Sequence, residues 1–389
     1  MDVTQSAQYP LNPFPHYEQM RAAAPVFQDD QSGSWHVFRY DDVQRVLSEH
    51  ATFSSRMGGE NPSGTGQLFA ASLITTDPPR HRQLRSLVTQ AFTPKSVDAL
   101  APRIAALTGE LLDAMTTGGG SADLIRELAY PLPVIVISEL MGIPAEDRER
   151  FKHWSDVVVS QTRTAPASER QDSTTSEMVE YFLALIDQRR SRPGNDLISS
   201  LLAAEIEGQK LTVPELLGFC SLLLVAGNET TTNLIGNAVL CLAESPGTHA
   251  RLLDEPALLP QTLEEVLRFR SPVQSMYRVA AAETVLGGQR IPPGAPIVAW
   301  IGSANRDEQQ FERAAEFDVD RNPNRHLAFG HGIHFCLGAP LARLEARIAL
   351  ESLLTRFPGL SVTPDAQLER MESSIVYGLK SLPVNWLPE

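Results

Sequence analysis

One stretch limits what this chain can fold into more than any other. From Leu211 to Glu244 the residues keep a helical pattern, opened by Thr212-x-x-Glu215 with Pro214 in the first turn and stopped at Pro246. A threonine followed three residues later by a glutamate caps a helix reciprocally, and proline is tolerated in that first turn. At 1.5 Å per residue the pattern predicts a helix about 50 Å long, far above the usual length. Leu216 to Val225 is apolar nearly all round, so the helix is expected to run through the core. Shorter helical segments precede it, among them the amphipathic Val97 to Met115 and Glu177 to Arg190. The expected fold class is mainly α with a smaller β region.

The middle of the long helix breaks its own pattern at Ala226-Gly227-Asn228-Glu229-Thr230-Thr231. Glycine costs about 1 kcal/mol relative to alanine in a helix. Threonine hydroxyls bond back to carbonyls and bend helices. A charged Glu229 in a buried helix is expensive without a partner or water. A harmless kink is the plain reading. Three unfavourable choices in an otherwise well-formed buried helix point instead to a functional site.

A second stretch carries chemistry: Phe329-Gly330-His331-Gly332-Ile333-His334-Phe335-Cys336-Leu337-Gly338-Ala339-Pro340. After Cys336, Leu337, Leu341, Leu344 and Ile348 repeat on one helical face, and Pro340 fits only a first turn. Cys336 therefore sits in a glycine-rich loop feeding a helix N-terminus, where the positive end of the dipole stabilises a thiolate. Such a thiolate is a metal ligand or a nucleophile. The plain reading of a lone cysteine is a small buried hydrophobe, and the two others are Cys220 and Cys241. Both fall in the long helix roughly 30 Å apart, too far to pair. The cysteine usage fits a reducing compartment.

The pattern Phe-x-x-Gly-x-His-x-Cys-x-Gly, at Phe329, Gly332, His334, Cys336 and Gly338, resembles the haem-binding signature of the cytochrome P-450 family. Asp77-Pro78-Pro79-x-His81-x-x-x-Arg85, followed by Ala91-Phe92-Thr93-Pro94, resembles that family's second haem-contacting segment, and Ala226 to Thr231 its oxygen-binding groove. Glu265-x-x-Arg268 with Arg321 matches its Glu-x-x-Arg motif. These matches follow the family's order from Asp77 to Gly338, which covers nearly the whole chain.

The resemblance implies a cytochrome P-450 fold in one domain over residues 1–389, with the long central helix over the haem. It implies haem b as cofactor, ligated by Cys336. His81, Arg85, Arg278 and His334 would bond its propionates, and Phe329, Gly332, Gly338, Ala226 and Gly227 would lie against it. Glu229 and Thr230 would form the acid–alcohol pair that delivers protons to dioxygen. Leu223, Ala226, Val273, Gln274, Ser275, Met276 and Val376 would line the substrate pocket. Glu265, Arg268 and Arg321 would be structural. The implied activity is a monooxygenase acting on an apolar small molecule, by hydroxylation or epoxidation, in secondary metabolism. Electrons would come from NAD(P)H through a separate ferredoxin and ferredoxin reductase. Peroxide-driven hydroxylation or decarboxylation is the rival within enzymology, and a haem-thiolate gas sensor the rival outside it. Neither needs Glu229-Thr230.

Composition narrows the partners. The 389 residues carry a net charge of −14, which argues against nonspecific nucleic-acid binding. No apolar run near the N-terminus reaches the length of a membrane span or signal peptide. A cytoplasmic monomer that uses no membrane is expected. Arg80, Arg82, Arg343 and Arg347 fall in the two haem-side segments and would steer an acidic ferredoxin.

The remaining segments give coarser expectations. Tyr17 to Ala24 and Asp41 to Ser48 read as short helices around strands at Val26 to Gln28 and Trp35 to Phe38. Asp77-Pro78-Pro79 is expected to cap the helix carrying His81 and Arg85. Arg56 to Gly66 is glycine-rich and polar and reads as a mobile surface loop or a functional lid, and Arg163 to Thr175 is a polar stretch. The resemblance implies that the former covers the substrate pocket, with Leu68 to Ile74 touching substrate, and that the latter belongs to mobile helices over it. Glu283 to Ile301 reads as hairpin strands around Gly287-Gly288, Ala304 as the start of a helix, and Ile375 to Gly378 as a turn reaching back to the pocket.

Overall fold

The computed structural model describes residues 12–56, 71–161, 169–206 and 208–386. Residues 57–66 of the expected lid, 68–70 of the segment after it and 163–168 of the polar stretch lie outside the described residues. The chain divides into two compact units. One draws on residues 1–54, 102–130 and 230–389, the other on 55–101 and 131–229.

All the described strands belong to the first unit. β1 (Val26–Gln28), β2 (Trp35–Val37), β3 (Phe53–Ser54), β5 (Met276–Ala280) and β8 (Pro296–Ala299) form a five-stranded sheet in the order β1-β2-β8-β5-β3. β2 and β8 run parallel, with Trp35 opposite Ile297, and the other pairs are antiparallel. The sheet buries Val37, Phe53, Ile297 and Ala299 together with Val43 from the helix Tyr40–Ser48. β4 (Ser121–Asp123), β9 (Ser361–Val362) and β10 (Pro383–Asn385) make a second sheet with β10 central. β6 (Thr284–Leu286) and β7 (Gln289–Ile291) form the hairpin expected around Gly287-Gly288. Both glycines have positive φ, 52° and 80°, the backbone a two-residue turn of this hand requires.

The second unit is helical. Its described elements include Arg80–Ala91, Pro131–Met141, Arg148–Gln161, Glu169–Ser191 and Leu197–Ala203. Trp154, Phe151 and Phe182 are fully buried in it. Val97 to Met115 is not one helix: Pro94–Asp98 ends before Ala101–Thr116 begins, because Pro102 can stand only near a start. The stretch Asp77-Pro78-Pro79 heads the following helix as expected: Pro79 takes the cap position and Asp77 O accepts from His81 N at 3.0 Å, while Asp77 Oδ1 accepts from Ser55 N at 3.0 Å. Ala304 ends the short helix Ile301–Ala304 instead of starting one.

The long helix spans Val213–Glu244, 32 residues. Residues 213–229 count with the second unit and 230–244 with the first. The reciprocal cap is present: Glu215 Oε2 accepts from Thr212 N at 2.9 Å and Thr212 Oγ1 accepts from Glu215 N at 3.4 Å. Burial differs from expectation. Leu217, Leu222, Leu223 and Val225 are only partly buried, whereas Thr231 to Leu242 is buried throughout. No described residue is part of a helix long and apolar enough to cross a membrane.

The helix Ala339–Arg356, which follows Cys336, holds a buried acid. Glu345 is 1% exposed, and its Oε2 has no hydrogen-bond partner among the described residues. Burial pushes its carboxyl from the usual 4.5 up to about 8. With the folded-state value raised, the neutral form's stability is complete below the unfolded value and is lost as pH climbs toward the folded one. Glu345→Gln is expected to leave the melting temperature near wild type at about pH 4.5, and to stabilise by up to roughly 4 kcal/mol at about pH 8.5. Parallel thermal melts at the two pH values check this. An unchanged difference between them would contradict it.

Candidate active site

The cysteine loop owes its shape to two glycines and one backbone bond. Gly330 and Gly332 have φ of 74° and 71°, a region that side chains strongly disfavour. A Cβ at Gly332 would stand 2.8 Å from Ser48 Cα, so this glycine lets the loop lie on the helix Tyr40–Ser48. Cys336 N donates to Phe329 O at 2.9 Å and closes the loop. The 3₁₀ turn Gly332–His334 lies inside it, and the helix Ala339–Arg356 starts directly after it with Pro340 in the first turn.

The three thiols differ. Cys336 is exposed; Cys220 and Cys241 are buried. Burial pushes the Cys220 thiol up to about 12 and also raises that of Cys241, so neither is a thiolate at neutral pH. A Cβ at Gly338 would come within 4.0 Å of Cys336 Sγ. Glycine there keeps that side of the sulfur clear.

Two adjacent carboxylates on the helix Leu259–Phe269 support the loop and the chain leading to it. Glu264 accepts from Arg343 Nε and Nη2, both at 2.7 Å, and lies 3.1 Å from His326 Nε2. Arg343 in turn stacks over the Phe329 ring at 4.4 Å. Burial alone would raise the Glu264 carboxyl, but the bonds from Arg343 and His326 outweigh it and hold it at about 2. Sequence reasoning missed Glu264, since its partners lie 62 and 79 residues away.

Glu265 makes the larger network. Arg268 grips it through Nε and Nη2 at 2.8 and 2.7 Å. Arg321 Nε approaches at 3.3 Å, while Asp318 N and Asn324 Nδ2 donate at 2.9 and 3.0 Å. Arg268, 0% exposed, spends its other hydrogens on the carbonyls of Asn305, Ala314 and Glu316. The structure therefore brings together the three residues read as structural.

The first unit also contains Arg278 and two proposed pocket walls. Arg278 is buried on β5, and its Nη1 donates to Tyr277 O at 2.7 Å. Val273 and Val376 form an isolated antiparallel bridge, and Gln274 N donates to Ile375 O at 2.7 Å, so the two segments are joined there. Val273 and Met276 are partly buried against the sheet core. Gln274 differs from expectation. Its Oε1 accepts from the Tyr17 hydroxyl at 3.0 Å and its Nε2 donates to Ser271 O at 2.6 Å, because Gly302 leaves room for the amide. Ser275 Oγ donates to Ser374 O at 3.1 Å. Both side chains are turned to partners within the protein.

On the long helix, Leu223 is partly buried and Ala226 exposed, one turn apart on one face. Glu229 is 9% exposed and Thr230 half-buried. The helix continues unbroken through Ala226 to Thr231. Within the second unit, a Cβ at Gly227 would meet the Ile137 side chain at 3.0 Å, so this glycine admits a close helix contact. Asn228 Nδ2 donates to Ser155 Oγ at 3.0 Å. Tertiary partners thus account for two residues that look unfavourable in isolation. His81 and Arg85 lie in the second unit on one face of Arg80–Ala91, His81 buried and Arg85 half-buried.

The expected basic patch is largely neutralised. Arg80 is paired bidentately with Glu215 at 2.6 and 2.7 Å, Arg343 with Glu264, and Arg347 with Glu351 at 3.4 Å. Arg82 is exposed.

Comparison with known proteins agrees with this architecture. The cytochrome P450 family model matches residues 157–387. A putative cytochrome P450, YjiB of Bacillus subtilis, is 46% identical, covering 96% of this chain and 93% of the relative. The erythromycin C-12 hydroxylase of Saccharopolyspora erythraea is 42% identical, covering 94% and 92%. The crystal structure of CYP109E1 from Bacillus megaterium in complex with testosterone superimposes with a TM-score of 0.88 at 44% identity, covering 97% of this chain and all of that one. Fold and relatives together define an oxidoreductase of the monooxygenase class. The chain belongs to the cytochrome P450 family, and the family implies haem and the use of dioxygen.

The residues present fit a haem. One exposed thiol precedes a helix, glycine keeps its flank clear, and the other thiols are buried and protonated. A buried arginine on β5 adds a cationic donor of the kind that holds a carboxylate.

Proposed function

We propose that the protein inserts one atom of dioxygen into an apolar, multi-ring or macrocyclic substrate, through haem b ligated by Cys336. The observation that carries this reading is the exposed Cys336 thiol in its glycine-shaped loop ahead of a helix, in a chain of this family. The haem, when bound, supplies dioxygen activation, and a thiolate ligand favours O–O cleavage, an established property of the family.

The chain's own residues supply the rest. Arg278, His334, His81 and Arg85 bind the propionates through charge-assisted hydrogen bonds. Phe329 and Gly332 shape the ligated side, and Glu264 fixes Phe329 through Arg343. Leu223, Ala226, Val273, Met276 and Val376 bind substrate and exclude water, with Gln274 and Ser275 bracing the wall. Glu229 exchanges protons with solvent, and Thr230 holds and passes a proton at Oγ1. Electrons come from NAD(P)H through a separate ferredoxin and reductase in the cytoplasm, to a monomeric enzyme. The substrate class is supported by a relative that hydroxylates erythromycin and another seen with testosterone.

A panel of steroids and macrolactones tests this. Incubated under labelled dioxygen with NADPH, ferredoxin and ferredoxin reductase, it should yield products carrying one labelled oxygen. Products formed only when hydrogen peroxide replaces the electron donors would overturn the reading in favour of peroxide-driven oxidation.

A further inference from the structure

The paired wall segments are tied to the long helix by one buried carboxamide. Asn237 is 0% exposed. Its Nδ2 donates to Arg270 O at 3.0 Å and to Tyr377 O at 3.2 Å. An amide nitrogen carries two hydrogens, and both are spent on backbone carbonyls. One carbonyl ends the helix Leu259–Phe269, just before Val273; the other belongs to the segment carrying Val376. Those two segments are already joined, since Tyr377 N donates to Pro272 O at 2.8 Å and Gln274 N to Ile375 O at 2.7 Å. One turn earlier on the same helix face, Asn233 lies against Gly378. A Cβ there would stand 1.9 Å from Asn233 Oδ1, so only glycine lets the chain pass that close.

We propose that Asn237 is a specificity-determining positioning residue: it sets where the paired segments, and with them Val273 and Val376, stand relative to the long helix. The inference rests on the reading that Val273 and Val376 line the substrate pocket. Glutamine or serine at 237 would reach differently and an aspartic acid could donate at most one bond, whereas asparagine spans three segments with one nitrogen. Nothing in the side chain itself has to touch substrate.

Two probes separate wall position from cofactor binding in the haem-loaded enzyme. Imidazole reports ligation at the iron, and 4-phenylimidazole adds a phenyl ring that must find room beside the wall; both are read by Soret titration. Asn237→Leu removes both donors at similar size, and Asn237→Asp leaves at most one at nearly identical shape, so that one serves if the other fails to fold. Both should retain haem and hold imidazole affinity within about twofold, while 4-phenylimidazole affinity changes by about fivefold or more. Val376→Phe should change the same ratio. If it does and the Asn237 variants do not, the positioning role is wrong. If Val376→Phe leaves the ratio untouched, the wall reading fails and the proposal with it. Loss of haem, or equal shifts for both probes in every Asn237 variant, would make the role purely structural and also overturn the proposal.

Discussion

Replacing Arg268 with alanine is expected to destabilise the protein by about 3–5 kcal/mol, the usual cost of removing one partner from a buried ion pair. The guanidinium is wholly buried and every hydrogen bond it makes is internal: two to Glu265 and three to the carbonyls of Asn305, Ala314 and Glu316. Without it, Glu265 is left in the core with Arg321, Asp318 N and Asn324, and the three carbonyls lose a donor. Arg268→Lys should not rescue, because a single ammonium cannot serve a bidentate carboxylate and three carbonyls in different directions. Arg321→Ala should cost less, since Arg321 meets Glu265 only at 3.3 Å. Urea unfolding of the three variants checks the ranking. Arg268→Ala within about 1 kcal/mol of wild type would contradict it.

Removing the Thr230 hydroxyl should change the outcome of the reaction instead of its stability. Glu229 and Thr230 are adjacent on the long helix, so their side chains leave it about 100° apart. Glu229 is buried and Thr230 half-buried. A carboxylate that reloads and a hydroxyl that both donates and accepts can hand protons inward one at a time. Thr230→Ala should bind haem and substrate normally and still consume NADH, but release most of the electrons as hydrogen peroxide. Glu229→Gln should instead slow oxygen consumption. Thr230→Ala that couples electrons to product as well as wild type would remove Thr230 from the relay.

What could be read from the sequence was what local spacing encodes. Thr212 and Glu215 cap each other across three residues, Gly287-Gly288 makes a tight hairpin turn, and Glu265 meets Arg268 one turn away. Arg321 came from family resemblance and lies where expected. What escaped depended on partners distant in sequence. Gly227 serves contact with Ile137, Asp77 is claimed by Ser55, and Arg343 is taken by Glu264 and Phe329. Gln274, read as pocket lining, is drawn to Tyr17 in the helix Phe14–Ala23, 257 residues away. Asn237 gave no signal at all, because a buried asparagine in a helix reveals its use only when the carbonyls it reaches are known. Pro102 was a local signal that outweighed the apolar repeat running through it.

The central claim is that Cys336 supplies the ligand to the haem iron. Purified protein, reduced and exposed to carbon monoxide, should show the strongly red-shifted Soret band of a thiolate ligand. Cys220→Ser and Cys241→Ser should keep that band, since both thiols are buried and protonated, and Cys336→His should lose it. A band unchanged in Cys336→His would contradict the account.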